Sequence, residues 1–235
     1  LVEDSEGDLW IGTWAQGLFR YSSSTGRVEA YPKVNEQNSS HVIYEDSRKN
    51  IWVGSWGYGL FRLEHPKDME RVSYVCYLHE NGNDTSLSDN IVYDISEDIH
   101  TNSLWVGTRS GLSILELGNL ESFINYKSGK SVYLLPTDEI NSILRDNQDN
   151  MWLGTIGGGV LMTDTRRPLF NLHTLHIGDE DIPATSVRVL FADSDRNLWI
   201  GVGTYGLACQ EYATGKLKMY THIPEFSEIP TLRSE

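Results

Sequence analysis

The residues "EDSRKNIWVGSWGYGLFRL" (45–63) place an aspartate, Asp46, six positions before Trp52, and the pair Gly59-Leu60 begins seven positions after it. The same order returns in "EDSEGDLWIGTWAQGLFR" (3–20), "SLWVGTRSGL" (103–112), "RDNQDNMWLGTIGGGV" (145–160) and "ADSDRNLWIGVGTYGL" (192–207). The recurring tryptophans are Trp10, Trp52, Trp105, Trp152 and Trp199. The aspartates are Asp4, Asp46, Asp98, Asp146 and Asp193, and the glycines are Gly17, Gly59, Gly111, Gly159 and Gly206. Three landmarks held in register through five copies make this a repeat protein, and the repeat is the first thing a fold must explain.

Each copy contains four short segments of strand character: the run before the aspartate ("HVIYED", "INSILRD"), the Trp segment, the run after Gly-Leu ("GLFRY"), and an aromatic-ended run ("TGRVEAY", "TGKLKMY"). Their lengths, their β-branched and aromatic content and their Gly/Asn/Asp boundaries are strand signals. Four strands in 40–50 residues is the size of a propeller blade. The expected class is therefore all-β, a β-propeller with five four-stranded blades. They span about 1–33, 40–79, 90–128, 139–176 and 185–223, with 224–235 beginning a further blade or linker. The apolar trio around each Trp lacks polar alternation and suits a strand covered on both faces. The following glycine points to close backbone approach or a bulge. The five tryptophans are expected to be core.

Composition narrows the function. The chain has 235 residues and a formal net charge of −14, which argues against nucleic acid or anionic lipid as a partner. No apolar run reaches the roughly 20 residues of a membrane helix, so no direct membrane insertion is expected. Residue 1 already falls inside a repeat, so the chain reads as a piece of a longer protein. Cys76 and Cys209 occupy non-equivalent repeat positions and match no metal motif. "DSDRN" (193–197) resembles the start of a calcium loop, but Leu198 stands where glycine is needed and turn chemistry accounts for every copy. His173 and His176 sit three apart in a strand, on opposite faces. No metal, no cofactor and no catalytic residue are expected.

Strings such as "EDSEGDLWIGT" followed by "GLFRYSSSTGRVEAY" resemble the two-component regulator propeller repeat, over nearly the whole chain from Leu1 to about Ile223. The fourth copy departs with Gly-Val for Gly-Leu, and the fifth carries Val202 where the repeat has Thr or Ser. The resemblance implies part of a seven-bladed propeller in the periplasmic sensor region of a hybrid two-component histidine kinase of Bacteroidetes, its parent anchored in the bacterial inner membrane. It implies carbohydrate sensing: an oligosaccharide ligand, signal transduction across that membrane, and contacts with other blades and domains of the same parent chain. A homodimer is a further partner reading. Two alternatives stand beside it, a non-catalytic protein-docking propeller and, less favoured, a propeller lyase or hydrolase like the streptogramin lyases.

Variable loops on a rigid scaffold are where a ligand would be read. The second-to-third-strand loops "TWAQ", "SWGY", "TRS", "TIGG" and "VGTY" offer Trp14, Gln16, Trp56, Tyr58, Arg109, Thr204 and Tyr205. Aromatic faces with amide, hydroxyl and guanidinium groups suit a sugar. The competing reading packs Trp14, Trp56 and Tyr58 against a neighbouring blade and leaves Arg109 solvated.

Overall fold

The computed structural model describes residues 1–32, 39–129, 135–165, 170–173, 176–177, 180–181, 187–203 and 206–220. Blade I comprises β1 (Val2–Glu3), β2 (Leu9–Gly12), β3 (Leu18–Ser22) and β4 (Arg27–Ala30). Blade II comprises β5 (Val42–Glu45), β6 (Ile51–Gly54), β7 (Leu60–Glu64) and β8 (Ser73–Tyr77). Blade III is β9 (Val92–Asp98), β10 (Ser103–Thr108), β11 (Gly111–Glu116) and β12 (Phe123–Tyr126). Blade IV is β13 (Ile140–Arg145), β14 (Asn150–Thr155), β15 (Val160–Asp164) and β16 (Phe170–His173). A hairpin not foreseen from the sequence, β17 (His176–Ile177) with β18 (Glu180–Asp181), precedes blade V. That blade is β19 (Val187–Ala192), β20 (Leu198–Val202), β21 (Gly206–Gln210) and β22 (Leu217–Tyr220). Every blade is an antiparallel meander in chain order, and the first strands of blades II to V pack side by side in succession, while β5 meets β2 of blade I, as in a propeller.

The landmarks now have physical roles. The aspartate's Oδ2 accepts the indole N–H of its own blade's tryptophan: Asp4–Trp10 at 3.0 Å, and Asp46–Trp52, Asp146–Trp152 and Asp193–Trp199 at 2.8 Å. Its Oδ1 accepts backbone N–H groups two and four residues on, as from Arg48 at 2.9 Å and Asn50 at 2.8 Å. One carboxylate thus closes the turn between first and second strands and satisfies a buried donor. For Asp193 these bonds, with the Trp199 indole foremost, hold the carboxyl below its usual range despite some desolvation. Blade III has one more residue between Asp98 and Trp105, and there the pairing changes: the Trp105 indole donates to Ser103 Oγ at 3.1 Å, while Asp98 takes Thr101.

Trp10, Trp52 and Trp105 each share a core cluster with the next blade. Trp10 packs with Ile43, Ile51 and Val53 of blade II, Trp52 with Leu87, Val92 and Leu104 of blade III, and Trp105 with Ile140, Ile143 and Met151 of blade IV. The glycine after the Trp lets the next first strand come close. A Cβ on Gly107 would lie 2.7 Å from the Ile140 carbonyl oxygen. Not all five tryptophans are core, which corrects the expectation. Trp10, Trp52 and Trp105 are buried, whereas Trp152 and Trp199 are half-buried. Trp152 borders a cleft at the blade IV–V seam. After blade V, which carries Trp199, the described residues place no further sheet. Trp199 stacks on Tyr220 of its own blade, with ring centroids 5.7 Å apart.

At the blade III–IV seam, Asp94 accepts the Ile143 N–H at 2.7 Å and its neighbour Ile95 N–H at 2.9 Å. Withdrawal of its carboxylate from water outweighs these bonds and pushes its pKa up to about 6. A carboxyl whose folded pKa is raised binds protons more tightly in the native state, so its contribution to stability is lost as pH rises from about 4 through about 6. Asp94→Asn is therefore expected to gain stability relative to the unmodified protein between about pH 4 and about pH 7. Paired urea melts across that range measure it, and a relative loss would show that the seam favours the ionised carboxylate.

Candidate functional site

The loops between second and third strands lie at the same end of the sheets as the segments leading into the next blade. Backbone bonds join them: Ser40 N–H to the Thr13 carbonyl at 2.9 Å, Val92 N–H to Ser55 at 3.0 Å, and Ile156 N–H to Glu139 at 2.9 Å. The loops are held rigid by the hydroxyl that follows the motif glycine. Thr13 Oγ1 donates to the Gly17 carbonyl and accepts the Gln16 N–H, both at 2.9 Å. Ser55 does the same with the Gly59 carbonyl at 2.9 Å and the Tyr58 N–H at 3.0 Å. Gly17 and Gly59 close these loops with φ of 88° and 81°, a region that favours glycine.

What the loops hold out is an aromatic run across three blades. Trp14 is 62% exposed and Trp56 41%, and their ring centroids lie 5.5 Å apart. His41 contacts both, at 5.4 Å from Trp14 and 5.5 Å from Trp56, and Tyr93 meets Trp56 at 5.5 Å. The Tyr93 hydroxyl donates to Glu139 Oε1 at 2.6 Å. Burial, then this carboxylate, push the phenol's pKa up and keep it a neutral donor. His41 is exposed overall, yet its ring lies against two indoles, and the loss of water pushes its pKa below the ordinary value. Near neutral pH it presents one donor and one acceptor nitrogen.

Of the residues singled out from sequence, Trp14 and Trp56 come together. Arg109 is exposed, close enough to Tyr93 for its charge to act on the phenol, and its N–H bonds the Ile91 carbonyl at 3.2 Å. Gln16 is exposed on the Trp14 loop. Tyr58 goes elsewhere: it is half-buried against the blade I–II core, because the loop turns it inward beside Trp10's cluster. Thr204 and Tyr205 lie outside the described residues, as do the side chains of His173 and His176.

His41 and Tyr93 were not among the sequence candidates. Both stand five residues before a landmark aspartate, where the other blades carry Asn141 and Arg188. In blades III, IV and V this position is the extra residue of a β-bulge, since the register skips from Val92 to Asp94, Ile140 to Ser142 and Val187 to Val189. A bulge re-aims a side chain out of the ladder. The sequence signal was a position whose chemistry varies between His, Tyr, Asn and Arg inside an otherwise apolar strand.

The arrangement offers apolar ring faces beside neutral donors and acceptors, with Arg109 nearby. The two-component regulator propeller family model matches residues 1–15, 35–57 and 134–157, which cover the turn and Trp strand of blades I, II and IV. Those three segments match the two-component regulator propeller repeat, and the other blades carry the same landmark residues. Solved structures share their arrangement. The extracellular domain of BT3049 from B. thetaiotaomicron, described as a hybrid two-component system, superposes with a TM-score of 0.72 at 22% identity, over 92% of this chain and 29% of that one. BT4673 from the same organism, described likewise, gives 0.72 at 21%, over 95% and 30%. Virginiamycin B lyase from Staphylococcus aureus gives 0.67 at 15%, over 94% and 69%. The chain thus spans under a third of the length of the two-component chains it resembles. No curated protein matches the sequence.

Proposed function

We propose that these blades belong to the ligand-sensing, non-catalytic region of a hybrid two-component sensor histidine kinase, outside the cytoplasm, and that the ligand is an oligosaccharide. The observation that carries this reading is the run Trp14–His41–Trp56–Tyr93, exposed at its first three members and half-buried at Tyr93, which crosses two blade seams. Sugar rings present C–H faces that lie on indoles and hydroxyls that bond His41, Gln16 and Arg109. A ligand seated there touches blades I, II and III together, so binding favours one relative setting of the blades. Such a differential contact is the minimum that a signal requires. On this reading the blades are part of a seven-bladed propeller in the periplasm, with the parent chain anchored in the inner membrane.

The test is a panel of neutral and uronic-acid oligosaccharides of defined length, added to the full-length protein while tryptophan fluorescence and melting temperature are followed. A sugar that quenches or shifts the indole emission and raises the melting temperature in a saturable way is the expected result. If no member of the panel does either, the oligosaccharide reading fails and the same aromatic patch is better read as a protein-docking surface.

A further inference from the structure

The opposite end of the sheets carries a second feature. There the loop between third and fourth strands reaches back toward the tryptophan seam of the preceding blade. In blade II it brings the Pro66 carbonyl to Arg20 Nη1 at 3.4 Å and to the Tyr31 hydroxyl, and Lys67 Nζ to Asp4 at 3.2 Å and Glu6 at 2.6 Å. In blade III it packs Leu117 and Leu120 into the Trp52 cluster, and the Leu117 carbonyl accepts from Arg48 Nη1. The residue two after the landmark aspartate makes the contact in each case: Glu6, then Arg48. Gln148 holds the same position in blade IV, and its Nε2 donates to the Tyr212 hydroxyl of blade V at 2.6 Å.

Blade V, however, has only a tight turn at this place, closed by the Gly215 N–H on the Glu211 carbonyl at 2.8 Å. Whereas the polar, more open hollow of about 410 Å³ at the blade I–II seam is bordered by the inserted Pro66 and Lys67, the seam between blades IV and V holds a cleft of about 210 Å³ with no loop crossing it. Trp152, Met162 and Leu198 form its apolar floor, and Gln148, Arg196 and Tyr212 its walls, with the Arg196 guanidinium 5.5 Å from the Tyr212 ring centre. This exceeds the roughly 150 Å³ that takes up a benzene ring, so a Leu or Pro side chain with its carbonyl fits.

We infer that the blade IV–V cleft is a docking slot for an extended polypeptide loop of a partner protein. The protein itself shows what this place accepts: at two other seams it takes a loop that offers Pro or Leu and a main-chain carbonyl. The partner loop sets an aliphatic side chain on Trp152 and Met162, and its carbonyl accepts from Gln148 or Arg196. Asp146 at the margin occupies the place of Asp4, which pairs with Lys67, and in a chain of net charge −14 it favours a Lys beside that residue, whereas Glu211 is already bonded to Lys218 and Thr214. The slot lies at the end of the sheets away from the aromatic run, so partner docking and ligand reading are separate.

A phage-displayed octapeptide library panned on the full-length protein tests it. Enriched sequences are expected to carry Leu or Pro with a nearby Lys. The synthetic form of the strongest should lose about tenfold or more in affinity when Gln148→Ala and Arg196→Ala are combined, and be unchanged by Trp14→Ala. Replacing residues 212–215 with the blade III loop sequence LGNLES fills the slot from within and should abolish binding, which keeps a readout if the paired variant melts early. No enrichment, or a peptide whose affinity neither change alters, overturns the slot.

Discussion

Trp52→Ala is expected to lower the stability of the protein by about 3–5 kcal/mol, the range for truncating a fully buried large side chain. Trp52 has no exposed surface, and it joins blade II to blade III through Leu87, Val92, Ile95 and Leu104. Its removal opens a cavity at a seam and also leaves Asp46 Oδ2 without its indole donor. Asp46 retains the Asn50 side chain at 2.9 Å, so the cavity and not the lost bond dominates. Urea melts followed by circular dichroism measure the loss, and a loss below about 1 kcal/mol would contradict the seam. The partner residue supplies an internal control. Asp46→Ala leaves the buried indole and two backbone amides unsatisfied, whereas Asp98→Ala does not touch the Trp105 indole, which bonds Ser103. The environment of Trp105, read by its fluorescence, should survive Asp98→Ala.

These contrasts show what was legible in the residues alone and what was not. The spacing of Asp, Trp and Gly-Leu carried strand number, order and the close approach of blades, because each depends on local chemistry repeated five times. It did not disclose that the aspartate bonds the tryptophan. Six residues of separation along a turn and strand fix no distance until the turn folds back, and the turn reading alone already accounted for the carboxylate. The extra residue before Trp105 looked like drift, yet it replaces one hydrogen-bond partner with another. Burial of the fourth and fifth tryptophans was misjudged for a related reason: a tryptophan is covered by what the next blade brings, not by its own repeat. Trp14 and Trp56 stood out because they interrupt short polar loops. His41 and Tyr93 were hidden inside runs that read as ordinary first strands: the bulged register turns Tyr93 out of the ladder, and His41 stands just before β5 begins.

Trp56→Ala is expected to cost about 30-fold or more in affinity for the oligosaccharide that the panel identifies, while stability changes by less than about 1 kcal/mol. Trp56 is the middle of the run, touching Trp14, His41 and Tyr93, so its loss divides the aromatic surface into two separated parts. Its backbone bridge to Ile91 and the bonds of Gly57 and Gly59 to the Asn90 carbonyl do not depend on the indole, so the loop keeps its course. Trp14→Ala, at the end of the run, should weaken binding less, because His41, Trp56 and Tyr93 remain continuous. Titration of the variants by calorimetry, with melts on the same samples, separates the two roles. Equal affinity in Trp56→Ala would remove the run from ligand recognition. A collapse of the melting temperature would instead make Trp56 part of the seam between blades II and III, where its bridge to Ile91 already lies.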